Sequence, residues 1–436
     1  MPQLNEVSAL SSTGPGIHAI PGDAGFQDAR VAAAKLEQLR VAVVHEWFVN
    51  YAGSERVVEQ ILKVFPQADL FAVVDFLEDD ERGFLSGRRA HTSFIQRLPK
   101  ARTAFRNYLP LMPLAVEQFD LSAYDLVISS NHAVAKGVIT GPGQVHISYV
   151  HTPIRYAWDL QHQYLRESGL DSGLKSWIAK MSLHYLRMWD AHTAHGVDAF
   201  LANSKYIARR IRKVYGRDAA VVYPPVDIAR FALRSDKEDY YLAASRMVPY
   251  KRMPMIAEAF ATMPDNQLVV IGDGPDLDRV KALGRGSPNI RVLGYQPTEV
   301  LADYMARARA FVFAAEEDFG IIPVEAQACG TPVIAYGAGG VLETVMSSAD
   351  WEKRTGLFFR DQTAAAVRDV VQEFEAAREF RPDVCRANAE RFSISCFRAR
   401  LVAAVDVALA VAGEQVSCSD PLERAQRPEH PGGSVL

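Results

Sequence analysis

Glu317 and Glu325 stand eight positions apart and enclose the run Phe319-Gly-Ile-Ile-Pro323. Pro323 suits the first turn of a helix, where its missing N–H costs nothing, and Gly330 suits the helix exit. Gly320, just before the helix, lets a ligand approach the backbone closely. The free N–H groups of Gly320, Ile321 and Ile322, with the positive helix end, then form an anchor for an oxygen-rich ligand. A carboxylate accepts two hydrogen bonds side by side, so each glutamate fits a vicinal diol, one a ribose and the other a sugar. Taken singly, Glu325 only complements the helix dipole and Glu317 is only solvated; the pair around this run is the more specific signal. A second cluster, Ser245 to Arg252, places Arg246 and Lys251 where a strand ends, and two cations there neutralise a diphosphate without a metal. Two basic residues in a loop are, in isolation, usually just solvated.

Weaker signals surround these. Ile271-Gly272-Asp-Gly-Pro-Asp-Leu-Asp278 is a strand ending in Gly-x-Gly before a helix, a faint nucleotide signature. Its Asp276 and Asp278 read as helix-start acids in preference to metal ligands. Gly337, Gly339 and Gly340 admit either a close ligand or a plain turn. In the first half, Gly53 and Ser54 lie in the loop that links the first expected strand to the first helix, where it would face a ligand cleft. His151 follows a strand that Pro153 prevents from extending, and is either a structural histidine or a cleft residue.

These residues need a frame, and the hydrophobic pattern supplies one. Short apolar runs at Arg40–His45, Leu126–Ser130, Val145–Val150 and Ala199–Asn203 alternate with helical stretches such as Glu55–Phe65 and Lys205–Tyr215, the latter capped by Ser204. The alternation stops at Val221–Asp227, where Pro224 and Pro225 fit neither helix nor central strand. It then restarts, with strands expected at Tyr240–Ser245, Gln267–Gly272, Ile290–Leu293, Ala310–Ala314, Pro332–Tyr336 and Gly356–Phe359. Two βα arrays joined by a proline hinge describe an α/β protein with two Rossmann-like domains facing across a cleft, ligands lying beyond the carboxyl ends of the strands. The expected division is a tail over 1–39, a first domain over 40–223, a second over 224–393, a helix over 394–412 packing back on the first domain, and a tail over 413–436.

Composition sets the limits. The 436 residues carry 48 Lys+Arg against 52 Asp+Glu, a formal charge of -4, which excludes a nucleic-acid binder working through its whole surface. No run approaches the length of a membrane span, and no basic region followed by an apolar core marks a secretory signal. Cys329, Cys385, Cys396 and Cys418 show no metal-binding spacing and are expected as free thiols in a reducing cytoplasm. Arg82 to Val116 holds seven basic residues and no acid, with apolar residues between. It is expected either to lie on anionic lipid or to be a solvated face.

With Glu317-x7-Glu325, Arg246/Lys251 and Gly272-Asp-Gly-Pro275 in this order, the chain resembles the retaining glycosyltransferases of family GT4, which have the GT-B fold. The resemblance covers about Arg40 to Ala412. Through His45–Glu55, Ser129–Gly137 and His151–Asp159 the first half is similar to bacterial mannosyltransferases of O-antigen and exopolysaccharide assembly. The family's loop before the first helix often has two adjacent glycines; here it reads Ala52-Gly53. The resemblance implies a second domain that binds a nucleotide-sugar donor, with Arg246 and Lys251 on the diphosphate and Glu325 on the ribose. Glu317 and the backbone of Phe319, Gly320, Ile321 and Ile322 would hold the sugar, and His151 would lie beside it as the catalytic histidine. It also implies no metal and no other cofactor, a glycan or lipid-linked glycan acceptor, and GDP-mannose as the donor. The resulting expectation is a cytoplasmic hexosyltransferase, peripheral to the inner face of the membrane. The alternatives are a nucleotide-sugar epimerase on the same fold and a non-catalytic nucleotide-sugar-binding protein. The sequence leaves the oligomeric state open.

Overall fold

The computed structural model describes residues 36–170, 172–377 and 380–417. Most of the two expected tails, and Cys418, lie outside them. Seven parallel strands build the first sheet: β1 (Val41–Phe48), β2 (Asp69–Asp75), β3 (His91–Thr92), β4 (Leu126–Asn131), β5 (Val145–Val150), β6 (Ala199–Ala202) and β7 (Ala219–Val221). Their spatial order is β3-β2-β1-β4-β5-β6-β7. Six more build the second: β8 (Tyr241–Ala244), β9 (Leu268–Ile271), β10 (Ile290–Gly294), β11 (Ala310–Phe313), β12 (Val333–Tyr336) and β13 (Gly356–Phe359), in the order β10-β9-β8-β11-β12-β13. Helices cover both faces, which is why the central strands are continuous apolar runs and not alternating ones. In each sheet the strand order reverses once, between β1 and β4 and between β8 and β11. Such reversals open crevices at the carboxyl ends of the strands.

The chain leaves the first domain through Val222–Asp227 and returns beside it, where Val226 bridges Ser393. The last helix, Ile394–Ser417, then crosses back. Phe397, Leu401 and Val405 are buried in the first domain's core with Val57, Ile61 and Tyr149, and Arg398 bonds Gln60 Oε1 at 2.9 Å. This helix runs past the expected end at 412. At the other end Leu36, inside the expected tail, is buried in the same core. Three strands escape the sequence reading: β2, β3 with two residues, and β7, Ala-Ala-Val.

β1 also runs three residues beyond its expected end at His45. There the buried Glu46 is held by the backbone that follows β4. Its Oε1 accepts the N–H groups of His132 and Ala133 at 2.8 Å and those of Val134 and Ala135 at 3.2 Å, and its Oε2 lies 2.8 Å from His132 Nδ1. A second buried charge, Lys136, follows β4. Its Nζ is 2.8 Å from Asp190 Oδ1 on the long helix Gly173–Thr193 and bonds Thr193 Oγ1 at 2.8 Å.

Four of the seven basic residues in 82–116 are held by partners, while Arg97, Lys100 and Arg106 are exposed. Arg82 is 2% exposed and paired with Asp75 at 2.8 Å, Arg88 donates to the carbonyl of Pro66, and Arg89 and Arg102 pair with Asp79 and Glu78. The acids that pair with Arg82, Arg89 and Arg102 lie just upstream of the window. Ile95, Phe105 and Met112 are core. Asp276 occupies the N-cap position of the helix Leu277–Arg285, but its side chain makes no capping hydrogen bond. Among the described residues, no helix is long and apolar enough to cross a membrane.

Candidate active site

The loops after β8 and β11, which flank the second sheet's reversal, carry the strongest sequence signals. After β8, Arg246 is exposed, and a single tight turn, Pro249–Lys251, aims Lys251 back so that its Nζ meets the Glu317 carboxylate. Burial, and then the positive Arg246 and Arg155, draw the Lys251 ammonium down to about 8. After β11, Gly320 takes a left-handed conformation (φ +85°) and opens the helix Ile321–Ala328. The N–H groups of Gly320 to Ile322 therefore stand at a helix N-terminus. The Phe319 ring packs on Tyr223 and Phe392 with centroids 5.8 and 5.4 Å away.

Glycines press these loops together. A Cβ on Gly272 would lie 1.9 Å from the Ser245 carbonyl oxygen, so the β9 loop sits flush against the β8 loop. The Gly337–Gly340 run serves the same end. Gly340 N–H donates to the Glu317 carbonyl at 2.8 Å, and a Cβ on Gly339 would come within 2.4 Å of that oxygen.

The first domain faces this site with its own reversal. Gly53 opens the helix Gly53–Val64, and a Cβ there would sit 3.3 Å from Ile321 Cδ1, so two helix N-termini meet across the cleft. His151 follows β5. Its Nε2 is 2.9 Å from Ser130 Oγ, which lies 3.2 Å from His45 Nδ1, and His45 Nε2 is 3.4 Å from Glu55 Oε1. One proton arrangement satisfies every member. Glu55 accepts from His45 Nε2, the Ser130 hydroxyl donates to His45 Nδ1, and His151 Nε2–H donates to Ser130. Burial would raise the Glu55 carboxyl, but His45 brings it to about 2. Burial, followed by the nearby His132 and His45, draws His151 down to about 3, so its imidazole is neutral at physiological pH.

His146 is a second depressed histidine. Its Nε2 is 2.9 Å from Ser129 Oγ, and burial draws it to about 4. The unfolded chain protonates both rings near 6.5, the native state only far below. Stability is thus lost as pH falls through 6.5 toward 4, by about 2 kcal/mol per ring at pH 5. His132, raised because Glu46 outweighs its burial, acts in the opposite sense. The melting temperature is expected to fall on acidification, and His146→Gln to flatten that fall in calorimetry; a parallel pH profile for the variant would refute the assignment.

Direct contacts close the cleft. The Asp318 carboxylate pairs with Arg155 at 3.4 Å and Arg210 at 3.3 Å, and its carbonyl accepts from Ser204 Oγ at 2.6 Å. Glu343 accepts the N–H groups of Lys205 and Tyr206 at 2.8 and 2.9 Å, a carboxylate from one domain at a helix N-terminus of the other. Crevices remain on either side among the described residues. One, about 220 Å³, is lined by Glu325, Arg56, Tyr51 and Asp227. Another, about 360 Å³, is lined by Tyr156, Tyr164, Tyr206, Tyr250 and Arg155.

The structure brings Lys251, Glu317, Arg246 and the backbone of Phe319 to Ile322 to one place, with Gly272 beneath and Gly53 opposite. The His151 loop joins them through Arg155. Glu325 stands apart: its Oε1 holds Arg56 Nη1 at 2.8 Å, across the domain boundary, so it presents no free pair of oxygens to a diol. Sequence reasoning passed over Asp318, Glu343 and the Glu55–His45–Ser130 chain. Asp318 lies inside the motif it did read, and burial raises its carboxyl although Arg155 and Arg210 pull the other way. Among the described residues, no three His, Cys, Asp or Glu side chains gather as a metal-ligating group.

Comparison with known proteins agrees with this architecture. Residues 51–230 match the model of Glycosyltransferase Family 4, and residues 226–391 that of Glycosyl transferases group 1. A GDP-mannose-dependent monoacylated alpha-(1-6)-phosphatidylinositol monomannoside mannosyltransferase of Corynebacterium glutamicum is 31% identical over 178 residues, 34% of this chain and 47% of that protein. A D-inositol 3-phosphate glycosyltransferase of Mycobacteroides abscessus is 30% identical over 184 residues, 37% of this chain and 40% of that one. The chain thus spans less than half the length of these curated relatives. The solved structure of Anabaena HepE with UDP and glucose superposes with a TM-score of 0.58 at 16% identity, covering 85% of this chain and 100% of that one.

Proposed function

Because the chain belongs to the family 4 glycosyltransferases, whose models match its two halves in turn, we propose that it transfers a hexose from a nucleotide-sugar donor to a glycan acceptor, with retention at the anomeric carbon. The observation that carries this reading is the meeting of Lys251 with Glu317 beside Arg246 and the helix start at Gly320. A diphosphate set against the two cations places its sugar at Glu317 and the backbone of Phe319 to Ile322. In the reaction the bond from the anomeric carbon to the diphosphate breaks and a bond to an acceptor oxygen forms. The acceptor's hydroxyl proton passes to the departing phosphate. Negative charge grows on the diphosphate as the bond breaks, and fixed cations stabilise it most at that moment. The neutral His151 lies on the acceptor side. No metal is required, because Arg246 and Lys251 already supply two positive charges. Binding of the ribose at Glu325 requires Arg56 to swing away from it.

The donor is proposed as GDP-mannose, supported by the mannosyltransferases among the relatives, and the acceptor as a lipid-linked oligosaccharide of surface polysaccharide assembly. A melting screen of nucleotide sugars tests the donor, since a ligand that binds only the native state raises the transition temperature. GDP-mannose is expected to raise it, with EDTA leaving both shift and turnover unchanged. A shift by UDP-glucose alone would replace the donor, and no shift with any nucleotide sugar would sink the reading. Product formation only when acceptor is present separates transfer from epimerisation.

A further inference from the structure

The long helix Gly173–Thr193 is apolar on two opposite sides. Its inner side buries Leu183 and Leu186. Its outer side exposes Leu174, Trp177, Ile178, Met181, Tyr185 and Met188, with fractional exposures of 43–75%. At 3.6 residues per turn these six share one stripe, running most of the roughly 30 Å of the helix. Lys175 and Lys180 are exposed along the two borders of the stripe. From Ser172 to Trp189 the sequence holds Lys175, Lys180, His184 and Arg187 and no acid, with Asp171 immediately before it. Asp190, the next acid, is buried and bound to Lys136.

We propose that this face docks on an anionic lipid surface. Three observations select that occupant. An apolar stripe bordered by lysines lets the chains sink into the acyl boundary while the ammonium groups reach up to anionic headgroups. Trp177 and Tyr185 are amphipathic rings of the kind that settle at that depth. A second copy is disfavoured, because a two-fold interface sets the same patch against itself and here opposes like charges. The placement also serves the cleft. The short helix Gln161–Glu167 just before it carries Gln163 and Tyr164, which line the larger crevice. A glycan on a membrane-held lipid would therefore enter beside the bound helix. Only this last link rests on the transferase reading.

Co-sedimentation of the full chain with phosphatidylcholine vesicles, with and without phosphatidylglycerol, tests the proposal. Binding is expected only with phosphatidylglycerol. Lys175→Gln with Lys180→Gln is expected to weaken it about thirtyfold, roughly fivefold for each charge. Trp177→Glu with Met181→Glu is expected to abolish it, while the melting shift by the donor stays as in the parent chain and shows that the fold is intact. Absent binding, equal binding to neutral vesicles, or binding that survives the glutamate pair would overturn the proposal. So would a dimer in light scattering that the glutamate pair converts to monomer. Vesicle binding needs neither donor nor acceptor, so its failure is separable from failure of the donor screen.

Discussion

Lys251→Ala is expected to slow sugar transfer by about 10²- to 10³-fold, as loss of one preorganised charge donor does elsewhere, with the fold retained. The side chain is 12% exposed and ends on Glu317, so its removal empties a polar site and leaves the core untouched. Burial, Arg246 and Arg155 all oppose the charge on its ammonium and bring the group to about 8. An incoming diphosphate relieves that opposition, and the extra charge of the transition state relieves it further. The effect should thus fall on kcat as well as on kcat/KM. The same group gives the reaction an alkaline limb. The free protein loses the proton above pH 8, so kcat/KM declines there, and in Lys251→Ala that limb is gone. Turnover near that of the parent chain, or an unchanged alkaline limb, would remove Lys251 from the diphosphate.

The largest effect on stability is expected from Lys136→Met, a loss of about 3–5 kcal/mol. Lys136 is 1% exposed and has Asp190 Oδ1 at 2.8 Å, with further bonds to the Asp190 carbonyl and Thr193. Asp190 is also tied to Trp158 Nε1 at 2.7 Å and Tyr215 at 3.1 Å. Burial lowers the Lys136 ammonium, and Asp190 offsets only part of this. Methionine fills the volume but strands the carboxylate. Adding Asp190→Leu to Lys136→Met should return part of the loss, because replacing both charges is far cheaper than removing one. Denaturant unfolding of the two singles and the double measures this. Additive losses would show that the pair does not interact.

Legibility in the sequence followed the range of the forces involved. Lys251, Glu317 and Gly320 were readable because a strand end, a helix start and a left-handed glycine are local events, each confined to a few residues. The same holds for Ser204, whose hydroxyl caps its helix at 3.1 Å from the Ile207 N–H. Lost were the features made by partners far along the chain. Arg56 meets Glu325 at a separation of 269 residues, and nothing near either residue announces the other. Glu46 reads as an unlikely strand member until the four N–H groups after β4 fold over it. The pairing of the stretch 82–116 was hidden for a related reason. Its charge was summed over a window, whereas the acids that pair with it, Asp75, Glu78 and Asp79, stand outside that window. The helix Gly173–Thr193 hid its exposed stripe behind a second apolar side, which weakens any amphipathic signal.

The last helix has a consequence for how the molecule is made. Phe397, Leu401 and Val405 leave the ribosome after every residue of the second sheet, yet they belong to the core built on β1 and β5. The second domain's core draws on residues from Tyr223 to Phe392, so it holds all its parts before that helix has been synthesised. Nascent chains usually mature from the N-terminal end. Here the order inverts: the domain translated first is sealed last, and until then the sites of Val57, Ile61 and Tyr149 form an open apolar trough. A released chain truncated near residue 393 is expected to be captured by chaperones in a pull-down, and one extended through 417 to escape them; equal capture of the two would argue against the inversion.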